Sequence, residues 1–294
     1  MMTSDLHDRA PTGGPDEGSP QRRPGRASIF RDNFDRNALG PVRTLGRSSL
    51  LAAMTLYAVV MDTLRLRLPF KETVIQAWFL VSVTAVPAFL MAIPFGVIVT
   101  IQVGGIVRQI GAESLLGAAS GLAVIQQAAP LAAGLLLGGA GASAIAADLG
   151  ARTIREEVDA LRAMGIDPVN RLVAPRAIAA IIVAPLLNLF IVVVGVVAGF
   201  YVAVLGQDVT PGSYWLSFGA YASLLDLLFS VFKAALFGAI IAIVGCHHGL
   251  EAKGGARGVA DAVNATVVVS TVGIIVLNFA LTQAYTVFFP MRVG

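Results

Sequence analysis

The sequence is poor in charge and poorer still in residues that do chemistry. Only 13% of its 294 residues are Asp, Glu, Lys or Arg, about half the share of an ordinary soluble domain. One cysteine, Cys246, excludes an intrachain disulfide. The three histidines, His7, His247 and His248, do not form a metal-ligand set, and the adjacent pair suits a membrane interface. No GxxxxGK[ST] stretch is present, and KGGARG at residues 253–258 lacks its spacing, so the chain is not expected to bind a nucleotide itself. No nucleophile–base set and no paired carboxylates stand out in the apolar segments. An enzyme is therefore not expected, and no cofactor or metal is expected on this chain. The first 28 residues are polar and contain no apolar h-region, so no secretory signal is expected there.

What fills the sequence instead is apolar residue. The hydrophobic share is 56% and the mean hydropathy +0.78, against about 45–50% apolar residues in soluble domains. The expectation is an all-α, polytopic integral membrane protein. A pI near 9.3 fits positive cytoplasmic loops and does not call for nucleic acid. Residues 1–39, rich in Asp, Arg, Gly and Pro, read as a disordered cytoplasmic tail. Residues 41–70 alternate apolar and basic positions and read as an amphipathic helix in the membrane interface. Five spans are expected: Trp78 to Val103, Leu115 to Ala147, Ile178 to Val204, Leu224 to Val244, and Ala265 to Phe288. The first contains Pro87 and Pro94, which remove backbone donors and can kink a helix. The second carries the small-residue run Gly134–Gly138–Gly139–Gly141–Ala142–Ser143, and the third carries Gly195 and Gly199. These allow close helix approach, within the chain or between subunits. Gln207 to Phe218 reads as an interfacial turn, and His247 to Asp261 as a Gly-rich basic loop.

The densest charge lies between two of these blocks, in ARTIREEVDALRAMGIDPVNRLVAPR, Ala151 to Arg176. Ile154, Val158, Leu161 and Met164 recur at helical spacing. Thr153 and Glu156 fit a capping box, so a helix is expected to start there. Gly165 and Pro168 supply stop signals. Arg155, Asp159 and Arg162 share the polar face, where Arg155–Asp159 and Asp159–Arg162 pairs are expected. Glu157 falls at the edge of the apolar stripe. Two readings follow: a solvated hairpin, or a docking helix for a soluble partner.

The Lys and Arg bias sets the orientation. Arg152, Arg155, Arg162, Arg171, Arg176, Lys253 and Arg257 fall in two segments on the side of the N-terminus. Arg108 and Arg292 fall on the other side. The N-terminus is expected in the cytoplasm and the C-terminus outside. Lys233 lies about ten residues into the fourth span, too deep to snorkel. It is either a functional ammonium or a structural one bonded to amides or carbonyls. No carboxylate partner is evident in a span, which leaves Asn188, Asn278 or a lipid headgroup.

GAGASAIAADLGARTIREEVDALRAMGIDPVNRLVAPR, Gly139 to Arg176, resembles the MlaE/YrbE permease family, and most closely its A-type YrbE members encoded with actinobacterial Mce proteins. AVNATVV at Ala262–Val268 and GCHHGLEAKGG at Gly245–Gly255 support the resemblance, which covers roughly residues 40–290. It implies a permease domain over 40–294 and a membrane subunit of an ABC transporter for lipids. Residues 151–170 would hold the coupling helix, with Arg155, Glu156, Glu157, Asp159, Arg162, Met164, Gly165 and Asp167 as its coupling residues. The implied partners are a cytoplasmic ABC ATPase carrying ATP and Mg2+, a second YrbE-type permease in a heterodimer, and MCE-domain proteins. Lys233 resembles a lysine in the fourth span of MlaE-type permeases. The chain departs from the family at Gln127–Ala128–Ala129–Pro130, where E-L-G-P or Q-L-G-P is common. It departs also at Ala140, where MlaE-type proteins carry arginine, and at CHHGL, which replaces C-Y-R-G-L. A secondary transporter would show an internal repeat and several intramembrane ionisable groups, which are not evident. A membrane scaffold that moves nothing is disfavoured by the charged helix.

Overall fold

The computed structural model describes residues 70–288, and every regular element among them is helical. The tail expected over 1–39, the interfacial helix expected over 41–70 (apart from Phe70) and Arg292 lie outside the described residues. In chain order the α-helices are α1 (Phe70–Gln109), α2 (Leu116–Ala123), α3 (Ala129–Leu136), α4 (Ala142–Ile154), α5 (Glu157–Ala163), α6 (Ala174–Gly206), α7 (Pro211–Tyr221), α8 (Leu224–Leu250) and α9 (Ala256–Phe288). Single π-helical turns at Val124–Ala128 and Leu137–Gly141 join α2, α3 and α4 into one rod. A third, Val169–Val173, leads into α6.

Five segments are long and apolar enough to cross a membrane: Phe70–Gln109, Glu113–Ile154, Val169–Gly206, Leu224–Leu250 and Ala256–Phe288. The chain is a multi-pass membrane protein. Each segment exceeds the ~20 residues that a bilayer core requires, and each runs past the apolar block that announces it. A helix already formed adds one hydrogen bond per residue, so it continues into polar sequence. For this reason His247 and His248 end α8 instead of opening a loop. The Gly-rich loop expected over His247 to Asp261 shrinks to residues 251–255, turned by Gly254 and Gly255 at φ 83° and 75°. The interfacial turn expected at Gln207 to Phe218 is the helix α7, with Thr210 accepting from the Ser213 amide and Pro211 in the first turn. α1 runs unbroken through Pro87 and Pro94.

The second span is the centre of the bundle. In the most apolar stretch of each, 61% of the second span is buried, against 28% of the first and 17% of the fifth. α1 packs on α6, α6 on α8, α8 on α4 and α9, and α2 lies against α7. The small residues decide these contacts. A side chain at Gly96 would run into the Gly195 backbone, and one at Gly238 into the Ala180 carbonyl. Gly134 and Gly138 receive Phe237 and Ile274. The glycine run of the second span thus serves packing within the chain, with Gly139 left open. Large apolar side chains such as Trp78, Leu90, Val276 and Phe279 point outward from α1 and α9, as a lipid environment requires.

Candidate functional site

The polar stretch folds into a hairpin between the second and third spans. α4 continues to Ile154, one residue past Thr153, the expected start of the new helix. The Thr153 hydroxyl is not a cap. It donates to the Leu149 carbonyl at 2.9 Å and lies 3.2 Å from the Gly249 carbonyl, tying the second span to the end of the fourth. The chain then reverses at Glu156, which adopts the left-handed conformation at φ 59°, at a cost of about 1 kcal/mol for a residue with a Cβ. α5 therefore starts at Glu157, and Glu156 is its N-cap residue with no side-chain cap bond.

That shift of start changes the pairing. Arg155, outside the helix, meets Glu157 at 3.1 Å and not Asp159. Arg162 meets Asp159 at 2.8 Å as expected. Val158 is buried and Leu161 packs against the core. Met164 does not continue the stripe: the helix ends at Ala163, so Met164 turns outward with Ile166, the two 66% and 41% exposed. Gly165 sits at φ 73°. Its amide donates to the Arg162 carbonyl, and that of Ile166 to the Leu161 carbonyl; this is a Schellman ending. Asp167 accepts from the Val169 amide at 3.0 Å and starts the third span. Of the eight coupling candidates, Gly165 and Asp167 thus have a local structural task. Asp159, Arg162 and Met164 form an exposed face with Ala160 and Ala163.

At the base of the hairpin lies a charge cluster that sequence reading missed. Arg176, with a side chain only 2% exposed, donates through Nη2 to Asp148 Oδ2 and through Nη1 to the Leu172 carbonyl at 2.6 Å. Arg152 holds the other Asp148 oxygen at 3.2 Å and lies 3.9 Å from Glu157. The available signal was the position of Asp148, one residue past the expected end of the second span.

A second cluster lies inside the membrane. Lys233 is fully buried, and its Nζ donates to the Gln126 carbonyl at 3.0 Å and to Thr282 Oγ1 at 3.1 Å. The Gln126 carbonyl lacks its usual α-helical donor, the amide of residue 130, because that residue is Pro130 and has no N–H. The π turn Val124–Ala128 falls over the same place. Phe229 offers its ring 5.8 Å from the ammonium, within reach of a cation–π contact. The expected partners are occupied elsewhere: Asn188 donates to Ser230 at 2.9 Å, and Asn278 to Gln127 at 3.2 Å. A carboxylate does lie in the fourth span. Asp226 accepts from Gln126 Nε2 at 2.8 Å, from the Tyr285 hydroxyl at 2.7 Å, and from the amide and hydroxyl of Ser223. The capping box expected at Thr153–Glu156 is found here, at Ser223–Asp226. The sequence Ser223-Leu-Leu-Asp226 carries that signature.

Beside this cluster is a cleft of about 490 Å³ lined by Gln127, Leu131, Leu135, Ile275, Asn278 and Thr282. An apolar groove of about 550 Å³ lies between α1 and α6, lined by Phe89, Ile93, Val97, Val193, Val197 and Tyr201. No cluster of metal-ligating residues occurs among the described residues.

The family model described as "Permease MlaE" matches residues 73–284, which contain all five spans but the ends of the first and last. The chain belongs to the MlaE permease family. A probable ABC transporter permease protein of Rickettsia felis is 30% identical over 243 residues, 83% of this chain and 92% of the relative. Another of that description, from Synechocystis, is 33% identical over 187 residues, 64% of this chain and 71% of the relative. The intermembrane phospholipid transport system permease protein MlaE of Haemophilus influenzae is 26% identical over 241 residues, 82% of this chain and 91% of the relative. The MlaE match takes in the whole Asp148 cluster and all of the Lys233 cluster but Tyr285.

Proposed function

We propose that this chain is the transmembrane permease subunit of an Mce-type ABC lipid transporter, the A-type YrbE half of a heterodimer. Residues 155–167, with α5 at their centre, dock on a separate cytoplasmic ATPase that binds ATP and Mg2+. This chain performs no covalent chemistry. The observation that carries the reading is the exposed face of α5, Asp159 and Arg162, continued by Met164 just past its end and standing on a base of buried Val158. A helix held by one face and bare on the other is what a docking element needs. The relatives named as ABC transporter permeases support the ATPase partner, and the one named for intermembrane phospholipid transport supports a lipid substrate. The basic residues around α5 support a cytoplasmic hairpin and N-terminus, with the C-terminus outside. MCE-domain proteins on that outer side receive or deliver the lipid, with uptake as the direction.

In this reading ATP binding closes the ATPase and displaces α5. The second and third spans then open or collapse an apolar cavity, a two-state bias set by the partner. Purification of the membrane complex tests it. An ATPase, a second YrbE-type chain and MCE proteins should copurify. The double variant Glu157→Lys, Asp159→Lys should lose ATPase association at least about tenfold while still inserting in the membrane. Retained association and transport in that variant would sink the proposal.

A further inference from the structure

The hairpin that carries α5 has two stems, α4 and the head of the third span, and one carboxylate joins them. Asp148 on α4 takes Arg176 of the third span on one oxygen and Arg152 of its own helix on the other. Arg152 reaches on to one oxygen of Glu157 in α5 at 3.9 Å, and Arg155 holds the other at 3.1 Å. Arg176 is anchored in turn, through Nη1, to the Leu172 carbonyl within the π turn at Val169–Val173. A continuous series of charged contacts thus runs from α5 through Glu157, Arg152 and Asp148 to Arg176. It has a buried end and an exposed end: Arg176 is 2% exposed, Arg152 35% and Glu157 43%. The Thr153 hydroxyl adds the last turn of α8 to the same base.

We infer that Asp148 and Arg152 are positioning residues for energy coupling: they make a displacement of α5 a joint displacement of the second and third spans. The inference rests on the docking role proposed for α5. Apolar contact alone leaves α5 able to rock, because Val158 and Leu161 are its inward anchors and dispersion contacts are non-directional. The ionic series is directional. It fixes α5 to the stem through Arg152, and it holds the two stems together through Asp148.

Spin labels at the far ends of the two spans provide the test. Leu115→Cys and Leu205→Cys lie at exposed positions, and the native Cys246 is fully buried and escapes labelling. The full membrane complex is reconstituted with its copurifying ATPase, and the Leu115–Leu205 distance distribution is recorded with and without ATP and vanadate. The unsubstituted background should shift on trapping. Arg152→Gln, which spares the buried Asp148–Arg176 pair, should bind the ATPase and hydrolyse ATP as before, with the trapped population reduced about fivefold. Asp148→Asn strands the buried Arg176 and should lower assembly, so it is read per assembled complex, where the shift should be reduced as in Arg152→Gln; Asp148→Glu should recover most of both. A merely structural role would lower assembly and hydrolysis together and leave the shift per assembled complex unchanged. A full shift in assembled Arg152→Gln would overturn the inference. A complex without any ATPase would instead overturn the docking role of α5.

Discussion

Around Asp148, charges of both signs meet across 28 positions of sequence, at the ends of two helices. Around Lys233, a lone ammonium is held by a carbonyl 107 positions before it and a hydroxyl 49 positions after it, deep among apolar helices. The first cluster is ionic, half-wet and joined to an exposed hairpin. The second is built of neutral partners, and its one carboxylate, Asp226, is spent on a tyrosine, an amide and a helix cap. The difference teaches how each site is held. Removing a charge at the first leaves an opposite charge behind. Removing one at the second leaves an orphaned carbonyl, which costs less.

Three single substitutions and one double variant put that ordering at risk, each read as the thermal midpoint of the detergent-solubilised protein. Arg176→Met should be the most damaging, at about 3 kcal/mol, because Asp148 then keeps only the half-exposed Arg152. Lys233→Met should cost about 2 kcal/mol, mainly through the unbonded Gln126 carbonyl. Adding Pro130→Ala to Lys233→Met restores an N–H facing that carbonyl and should return about 1 kcal/mol. A double variant no more stable than Lys233→Met would show that the proline-vacated carbonyl is not what Lys233 serves. Tyr285→Phe should be mildest, about 1 kcal/mol, since it loses one bond to Asp226 and keeps its ring stacked on Phe229 at 4.4 Å. If Lys233→Met proves worse than Arg176→Met, the contrast between the two clusters fails.

The five spans were legible because apolar length is a one-dimensional property. The hairpin was legible as a charged, helical interruption, but its register was not. Thr153 looked like a cap until the Gly249 carbonyl, 96 positions away, gave its hydroxyl another use. With the start moved to Glu157, Arg155 changed partners and Met164 left the apolar face. The partners of Lys233 were illegible for a similar reason. Pro130 marks an open carbonyl at Gln126, but nothing local says which helix fills it.

By itself, then, the sequence determined the all-helical membrane class, the number of spans, the family pattern and the position of the charged hairpin. Each follows from composition or from local spacing. Only the tertiary structure decided that the second span is central, that its glycines serve the chain's own packing, and that Asp148 joins two spans while Lys233 answers a proline. A buried polar group must find a partner wherever the fold brings one, and that distance in space has no counterpart in sequence.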